Sequence, residues 1–408
     1  MATAERPALG RPERPSESYG RRRVSRARIA TSAVFFQQGL LVGAWSLHVP
    51  IVIERLEISK ATMGFVIVVF GLGSIAAMLA SGPIIGRHGS RGMTRAMAFA
   101  TSFFLIAISM PTNVFAMLPL IALVGAGIGV IDVAMNAQAV EVERRAKHAI
   151  MSSFHGFWSM GTLAGALVSG WLIVQLGPFG HAMLVTGASL AIAAATWPFF
   201  LRERRSREEA ASGFTMPRSA TVWLLGVICL FAYTVEGASI DWSALFMREE
   251  VRAPFAVAGW ALAALQVTMM LARFGGDAVR DRFGAVATLR WGGLLAAIGF
   301  ALAGSGGLPW AADWSTEART ALVIVGFLVT GLGLANIVPI TFAASSNVPG
   351  VSPAVALSFI AMMGYAGILT APSILGWIGE HVGFASVFVG IAALPLTVAL
   401  MAMVARPR

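Results

Sequence analysis

Twelve runs of 17 to 28 predominantly apolar residues recur along the chain, separated by short polar or basic segments. A hydrocarbon layer of ~30 Å needs about 20 such residues in helical form, so each run predicts one membrane-spanning helix. The expected spans are α1 29–53, α2 61–85, α3 94–110, α4 114–140, α5 150–176, α6 180–201, α7 220–247, α8 255–275, α9 286–304, α10 320–345, α11 354–378 and α12 385–404. Backbone polar groups in lipid must be satisfied within the segment, which makes an all-α polytopic membrane protein the expected class.

The pattern also repeats within itself. "GTLAGALVSGWLIVQLG" in α5 matches "GILTAPSILGWIGEHVG" in α11 at an offset of 206, pairing Gly161 with Gly367, Gly170 with Gly376, Trp171 with Trp377 and Gly177 with Gly383. "GAGIG" of α4 meets "GLGLA" of α10 at the same offset, and "GRHG" after α2 meets "DRFG" after α8 at 195. The longer α9–α10 loop "SGGLPWAADWSTEA" accounts for the difference. Two pseudo-symmetric six-helix bundles follow, 29–201 and 220–404, joined by an Arg/Glu-rich linker, 202–219.

Composition agrees with this class: 57% of the 408 residues are apolar, 12% are charged and the mean hydropathy is +0.76. Net charge +10 concerns orientation rather than nucleic acid, because no basic stripe is interleaved with aromatics on a soluble surface. With the N-terminus inside, 25 of the 30 Lys and Arg fall on cytoplasmic segments, so both termini are expected in the cytoplasm. Residues 1–28 carry eight arginines and no apolar core, and read as a disordered basic tail; 405–408 form a short cytoplasmic C-terminus. The single cysteine, Cys229, excludes an intrachain disulfide and a Cys cluster for metal.

On these repeats and loops the chain resembles the major facilitator superfamily of transporters from residue 29 to 404. "GPIIGRHGSRG" between α2 and α3 looks like the superfamily's Gly-rich basic signature loop, and "GDAVRDRFG" between α8 and α9 looks like its second copy. Gly86 stands where the pattern usually has Asp, whereas Asp281 retains it. The resemblance makes Gly82, Arg87, Gly89 and Arg91, with Asp277, Asp281, Arg282 and Gly284, candidates for gating loops. Their glycines permit tight turns and their arginines can bond helix-end carbonyls.

Of the 20 acidic residues only Asp132, Glu236 and Asp241 fall within an expected span, and every Lys and Arg maps to a loop or helix end. A charge at the bilayer centre costs ~2.5–3.5 kcal/mol on insertion scales, so these three carboxyl groups are proton-coupling candidates facing the bundle interior. Permanent interhelical hydrogen bonding is the alternative for Asp132, and one of Glu236 and Asp241 is open to a structural role. Asn136 lies one turn beyond Asp132. His155 in α5 sits at the depth of Asp132 if α4 and α5 pair as an antiparallel hairpin, which would make a proton relay; a packing role is the alternative for a lone histidine on an apolar helix. Trp158 and Ser159 share its side, and Gln38, Ser46, Asn336 and Tyr365 are further candidates to line a substrate cavity. The glycines and Pro339 of α10 suit either a gating bend or close packing.

The acidic residue with Asn136 in α4, and the polar residue before an aromatic in α5, resemble the fucose-permease-like branch. That branch has a functional carboxylate in α1 where this chain has Ser46. The resemblance implies a proton-coupled secondary carrier, acting as a symporter or antiporter by alternating access. The expected substrate is a small neutral or cationic solute, argued from the absence of membrane-embedded Arg and Lys. A non-transporting membrane sensor or assembly protein on the same fold is the alternative. No Walker loop, HExxH or paired Cys motif is present, so no enzyme activity, cofactor or metal is expected, and the chain is expected to act as a monomer.

Overall fold

The computed structural model describes residues 15–146, 150–202, 216–345, 348–351 and 353–406. Within its helices, the side chains at 15–21, 79, 82–84, 86–88, 151–152, 276–278, 281, 353–355, 357–358 and 369–370 fall outside the described set. The described residues form helices joined by short turns. In order these are α1 Pro15–Leu56, α2 Lys60–His88, α3 Ser90–Thr101 continued by Phe104–Ser109, and α4 Val114–Ala146. A single long helix Met151–Thr196 holds α5 and α6. The second half has α7 Ala220–Glu249, α8 Trp260–Phe283, α9 Ala285–Ser305 and α10 Thr316–Leu334 with Ile337–Ser345. Pro353–Ile391 holds α11 and the start of α12, which continues through Ala393–Met401.

Among the described residues ten continuous apolar stretches are long enough to cross a membrane, but two, Ser153–Thr196 and Phe359–Ala405, run for 44 and 47 residues. That is twice what a bilayer needs. Each breaks at a glycine in the left-handed region, Gly177 with φ 71° and Gly383 with φ 80°, so each supplies two spans and the total is twelve. The two glycines are a pair from the sequence repeat. The turns after α2 and α8 match in the same way: Gly89 (φ 81°, ψ 156°) and Gly284 (φ 80°, ψ 158°) each end one helix and begin the next.

One boundary differs from expectation. Helix α1 begins at Pro15, so the arginine-rich stretch from Arg22 to Arg28 is helical rather than an unstructured extension of the tail. Packing explains it. Ala27 and Ala30 are buried with Phe200 and Leu201, and Arg26 lies over the Phe199 ring at 6.0 Å. Residues 1–14 lie outside the described residues.

Lipid gives helices little hydrophobic reason to associate, so close backbone approach supplies the packing. Helices α1 and α5 do this through two reciprocal small-residue pairs, Gly39 and Gly43 against Gly161 and Gly165. A Cβ at Gly39 would run into the Trp158 carbonyl, and one at Gly161 into the Phe36 carbonyl. The second half repeats the arrangement, with Gly367 of α11 against Leu230 of α7. Trp171 and Trp377, partners in the repeat, are 57% and 58% exposed on the lipid-facing surface.

The halves meet through α1 with α7, α2 with α11, and α5 with α8. At one end Gly170 of α5 packs on Phe255 and Ala256, and Gly376 of α11 packs on the Lys60 carbonyl. Lys60 pairs with Glu249 at 2.7 Å there, and the Ala61 amide donates to Glu380 at 3.0 Å. This end of the interface is closed by polar contacts from both halves.

Candidate functional site

A cavity of about 260 Å³ lies between the halves, lined by residues of α1, α2, α3, α4 and α5 on one side and α7, α8 and α11 on the other. Seven residues singled out from the sequence line it: Gln38, Asp132, His155, Trp158, Glu236, Asp241 and Tyr365. Aromatic rings from Phe35, Trp45, Phe70, Phe104 and Tyr233 supply much of the remaining wall.

Three polar bridges cross the cavity from half to half. Tyr365 of α11 donates its hydroxyl to Asp132 of α4 at 2.6 Å. Trp45 of α1 donates its indole N–H to Asp241 of α7 at 3.3 Å. Arg273 of α8 donates to the Ser159 hydroxyl of α5 at 2.8 Å. Asn136 supports the first bridge from within α4, donating to the Asp132 side chain at 3.3 Å and to its carbonyl at 2.9 Å. The stacked rings of Tyr233 and Tyr365, 6.1 Å apart, hold the phenol in place.

Arg273 corrects the expectation that every Lys and Arg maps to a loop or helix end. It lines the cavity, its side chain is 15% exposed, and it pairs loosely with Glu236 at 3.8 Å. The cause is the length of α8, which runs to Phe283 rather than to 275 and so carries Arg273 well inside the helix. A membrane-embedded cation is therefore present, and its absence no longer argues about the solute.

The expected relay between Asp132 and His155 is also not formed. Both line the cavity, but no hydrogen bond joins them. Helix α4 packs mainly on α2 and α3, whereas α5 packs on α1 and α8, so sequence neighbours α4 and α5 are not packing neighbours. Tyr365 takes the Asp132 carboxylate instead, and His155 packs edge-on against Phe35 with ring centres 5.4 Å apart.

Glu236 and Asp241 diverge by about 140° on an ideal helix, yet both line the cavity while α7 stays helical throughout. No unwinding at "EGAS" is needed. Ser46 and Asn336 do not join the site: the Ser46 hydroxyl donates to the Gly43 carbonyl within α1, and Asn336 sits in the break of α10. The glycines of α10 pack closely, Gly331 on Leu265 and Gly333 on Gly292 and Ala296.

Of the gating-loop candidates, Gly89 and Gly284 form the turns described above. Arg91 is half-buried, and Arg282 lies over the Phe283 ring at 5.7 Å. Gly82, Arg87, Asp277 and Asp281 lie in helices, at positions whose side chains fall outside the described set.

Trp45, Tyr233 and Arg273 were missed in the sequence. Nothing in the spacing of Trp45 or Tyr233 distinguishes a cavity residue from a packing one. Arg273 carried a usable signal, since in "RFGGDAVRDRF" it stands ten positions before Phe283, the end of α8.

The family model for the Major Facilitator Superfamily matches residues 29–240. An uncharacterised MFS-type transporter of Yersinia pestis is 33% identical over 92% of this chain and 94% of its own length. Membrane protein MosC of Rhizobium meliloti is 30% identical over 91% of this chain and 88% of its own. A crystal structure of a variant of the nucleoside transporter NupG superposes with a TM-score of 0.73 at 15% identity, covering 93% of this chain and 99% of that one, a likeness of fold. With twelve spans in two matched halves around a central cavity, and relatives aligned along nearly its whole length, the chain belongs to the Major Facilitator Superfamily, as a multi-pass membrane protein of the transporter type.

Proposed function

We propose that this protein is a secondary active transporter that moves a small neutral or cationic solute across a bacterial inner membrane by alternating access, coupled to protons through Asp132. The observation that carries the reading is the 2.6 Å contact from Tyr365 to Asp132. A carboxyl group inside the membrane is held by a donor from the opposite half, so a change in its protonation acts directly on the interface that must open and close. Loss of the proton leaves a carboxylate that holds the phenol strongly, and gain of a proton removes that charge-assisted bond.

The solute class rests on the balance of charge, since three carboxyl groups, Asp132, Glu236 and Asp241, face one guanidinium in the cavity. The basic-residue distribution supports cytoplasmic termini, and with that orientation the end closed by Lys60 and Glu249 is external and the described state is shut to the outside. Asp132, Asn136 and His155 support a place in the fucose-permease-like branch. Transport rather than catalysis is the role, with the monomer as the working unit.

The test is flux into proteoliposomes across a panel of labelled sugars and organic cations, with and without an imposed pH gradient. Accumulation that follows the gradient and is lost in Asp132→Asn supports the reading. Absence of flux for every solute, with the protein folded, would favour a sensor or assembly role.

A further inference from the structure

The three cavity carboxyl groups are not equivalent. Asp132 accepts from Tyr365 and Asn136, and Glu236 faces Arg273. Asp241 is only 6% exposed and has one long hydrogen bond, 3.3 Å from the Trp45 indole to Oδ1. Among the described residues no cation pairs with it, and Oδ2 has no hydrogen-bond donor. An uncompensated carboxylate in this environment is costly, which makes its surroundings a place for a positive charge to be supplied from outside the chain.

The walls beside Asp241 indicate the kind of cation. Trp45 packs against Phe104 with ring centres 5.6 Å apart, and Phe104 stacks on Phe70 at 6.2 Å, so a row of three rings starts at the residue that touches the carboxylate. All three line the cavity. An inorganic cation needs several oxygen ligands, and a single carboxylate beside aromatic faces does not provide them. An ammonium group carried on an apolar ring suits both parts, with the charge at Asp241 and the ring along Trp45, Phe104 and Phe70. The cavity volume of about 260 Å³ exceeds the ~150 Å³ that holds a benzene ring, so one ring with an aminoalkyl arm fits within it.

We propose that Asp241, with the Trp45–Phe104–Phe70 row, is the substrate anchor for the protonated amine of a single-ring organic amine. This deepens the carrier reading above and separates the two carboxylates by task, Asp132 for the proton and Asp241 for the solute. Because Trp45 belongs to the other half, an ammonium group seated at Asp241 also replaces or lengthens one of the three bridges at the cavity.

The experiment is calorimetric binding to the purified full-length chain in nanodiscs, with phenethylamine, neutral phenethyl alcohol and anionic phenylacetate as probes. Phenethylamine is expected to bind at least about tenfold more tightly than either analogue, and Asp241→Asn to remove that advantage while leaving phenethyl alcohol unaffected. Asp241→Glu should retain part of it. If Asp241→Asn does not fold, carbodiimide labelling of Asp241 in the unaltered protein, read by mass spectrometry, should be slowed by phenethylamine and not by phenylacetate. Equal amine affinity in the unaltered protein and Asp241→Asn, or absence of protection, would overturn the proposal, as would tighter binding of phenylacetate. Amine binding that depends on Asp241 without gradient-driven uptake would uphold the anchor and count against the carrier reading.

Discussion

The Tyr365 hydroxyl donates to Oδ2 of Asp132 at 2.6 Å, joining α11 of one half to α4 of the other at the cavity wall. The bond links a titratable group to the relative position of the halves, so its two members should fail differently. Asp132→Asn cannot titrate but can still accept from the phenol, and is expected to abolish accumulation driven by a pH gradient while solute exchange at equal concentrations survives. Tyr365→Phe leaves a titratable Asp132 without its partner from the other half and should retain gradient-driven flux at a reduced rate. Proteoliposome uptake and counterflow measured on both variants separate the two outcomes. Unchanged gradient-driven uptake in Asp132→Asn would remove it from the coupling route.

His155 tests the same geometry from the other side. It packs on Phe35 rather than on Asp132. Residues that touch or share a cavity couple by about 0.5–3 kcal/mol; with only the cavity in common, His155→Ala and Asp132→Asn should couple at the lower end of that range in their effects on transport. A coupling well above it in a double-variant cycle would mean that the two side chains meet in another state of the cycle.

The sequence carried the fold well, and for reasons visible in particular residues. Lipid demands apolar helices of nearly fixed length, and the repeat put Gly177 opposite Gly383 and Gly89 near Gly284, all of which prove to be left-handed turns. It also flagged the three membrane-embedded carboxyl groups, because charges in a span are rare enough to stand out. What it did not carry was which helices are neighbours. The Asp132 and His155 pairing assumed that adjacent helices pack as hairpins, whereas α4 lies on α2 and α3, and α5 on α1 and α8. Contacts between halves, such as Tyr365 with Asp132 or Arg273 with Ser159, join residues 233 and 114 positions apart, and no local spacing encodes them.

Arg273 and Glu236 form a pair within the second half, 3.8 Å apart, with both side chains largely buried. Removing one member leaves the other as an uncompensated charge, which in buried pairs costs about 3–5 kcal/mol; the length of this contact and the cavity beside it argue for the lower end. Glu236→Gln and Arg273→Gln should therefore each lower the melting temperature in detergent, and the double variant should recover part of the loss. A double variant as unstable as the sum of the singles would show that the two charges do not compensate each other.

The α1–α5 contact depends on the absence of side chains. Gly161→Val would push into the Phe36 carbonyl and the Leu40 amide, and neither backbone can withdraw without parting the helices. Overpacking of this kind costs about 1–3 kcal/mol where side chains can adjust, and more where backbone must move. Gly187 in α6 has nothing within 4 Å of the place a Cβ would take, so Gly187→Val is the matched control. Monodisperse yield from the membrane should fall sharply for the first and stay near the unaltered level for the second.

Lys60 at the start of α2 and Glu249 at the end of α7 pair at 2.7 Å across the closed end, with Lys60 also over the Phe384 ring at 5.5 Å. Their side chains are 22% and 40% exposed, so the pair contributes about 0.2–1 kcal/mol and weakens with salt. Against two states separated by a few kcal/mol, losing it shifts their ratio by up to about fivefold. The readout is the labelling rate of a single cysteine at Ile75, on the cavity wall, by an impermeant maleimide added outside cells, in a Cys229→Ser background. Lys60→Ala should raise the rate several-fold, and Lys60→Glu should raise it further, since like charges then face each other. The exchange variant, Lys60→Glu with Glu249→Lys, should return the rate toward its starting value, because the attraction is restored with its members reversed. An unchanged rate in Lys60→Ala would mean that the Ala61 amide bond to Glu380 and the glycine contacts of α5 and α11 hold this end closed without the ion pair.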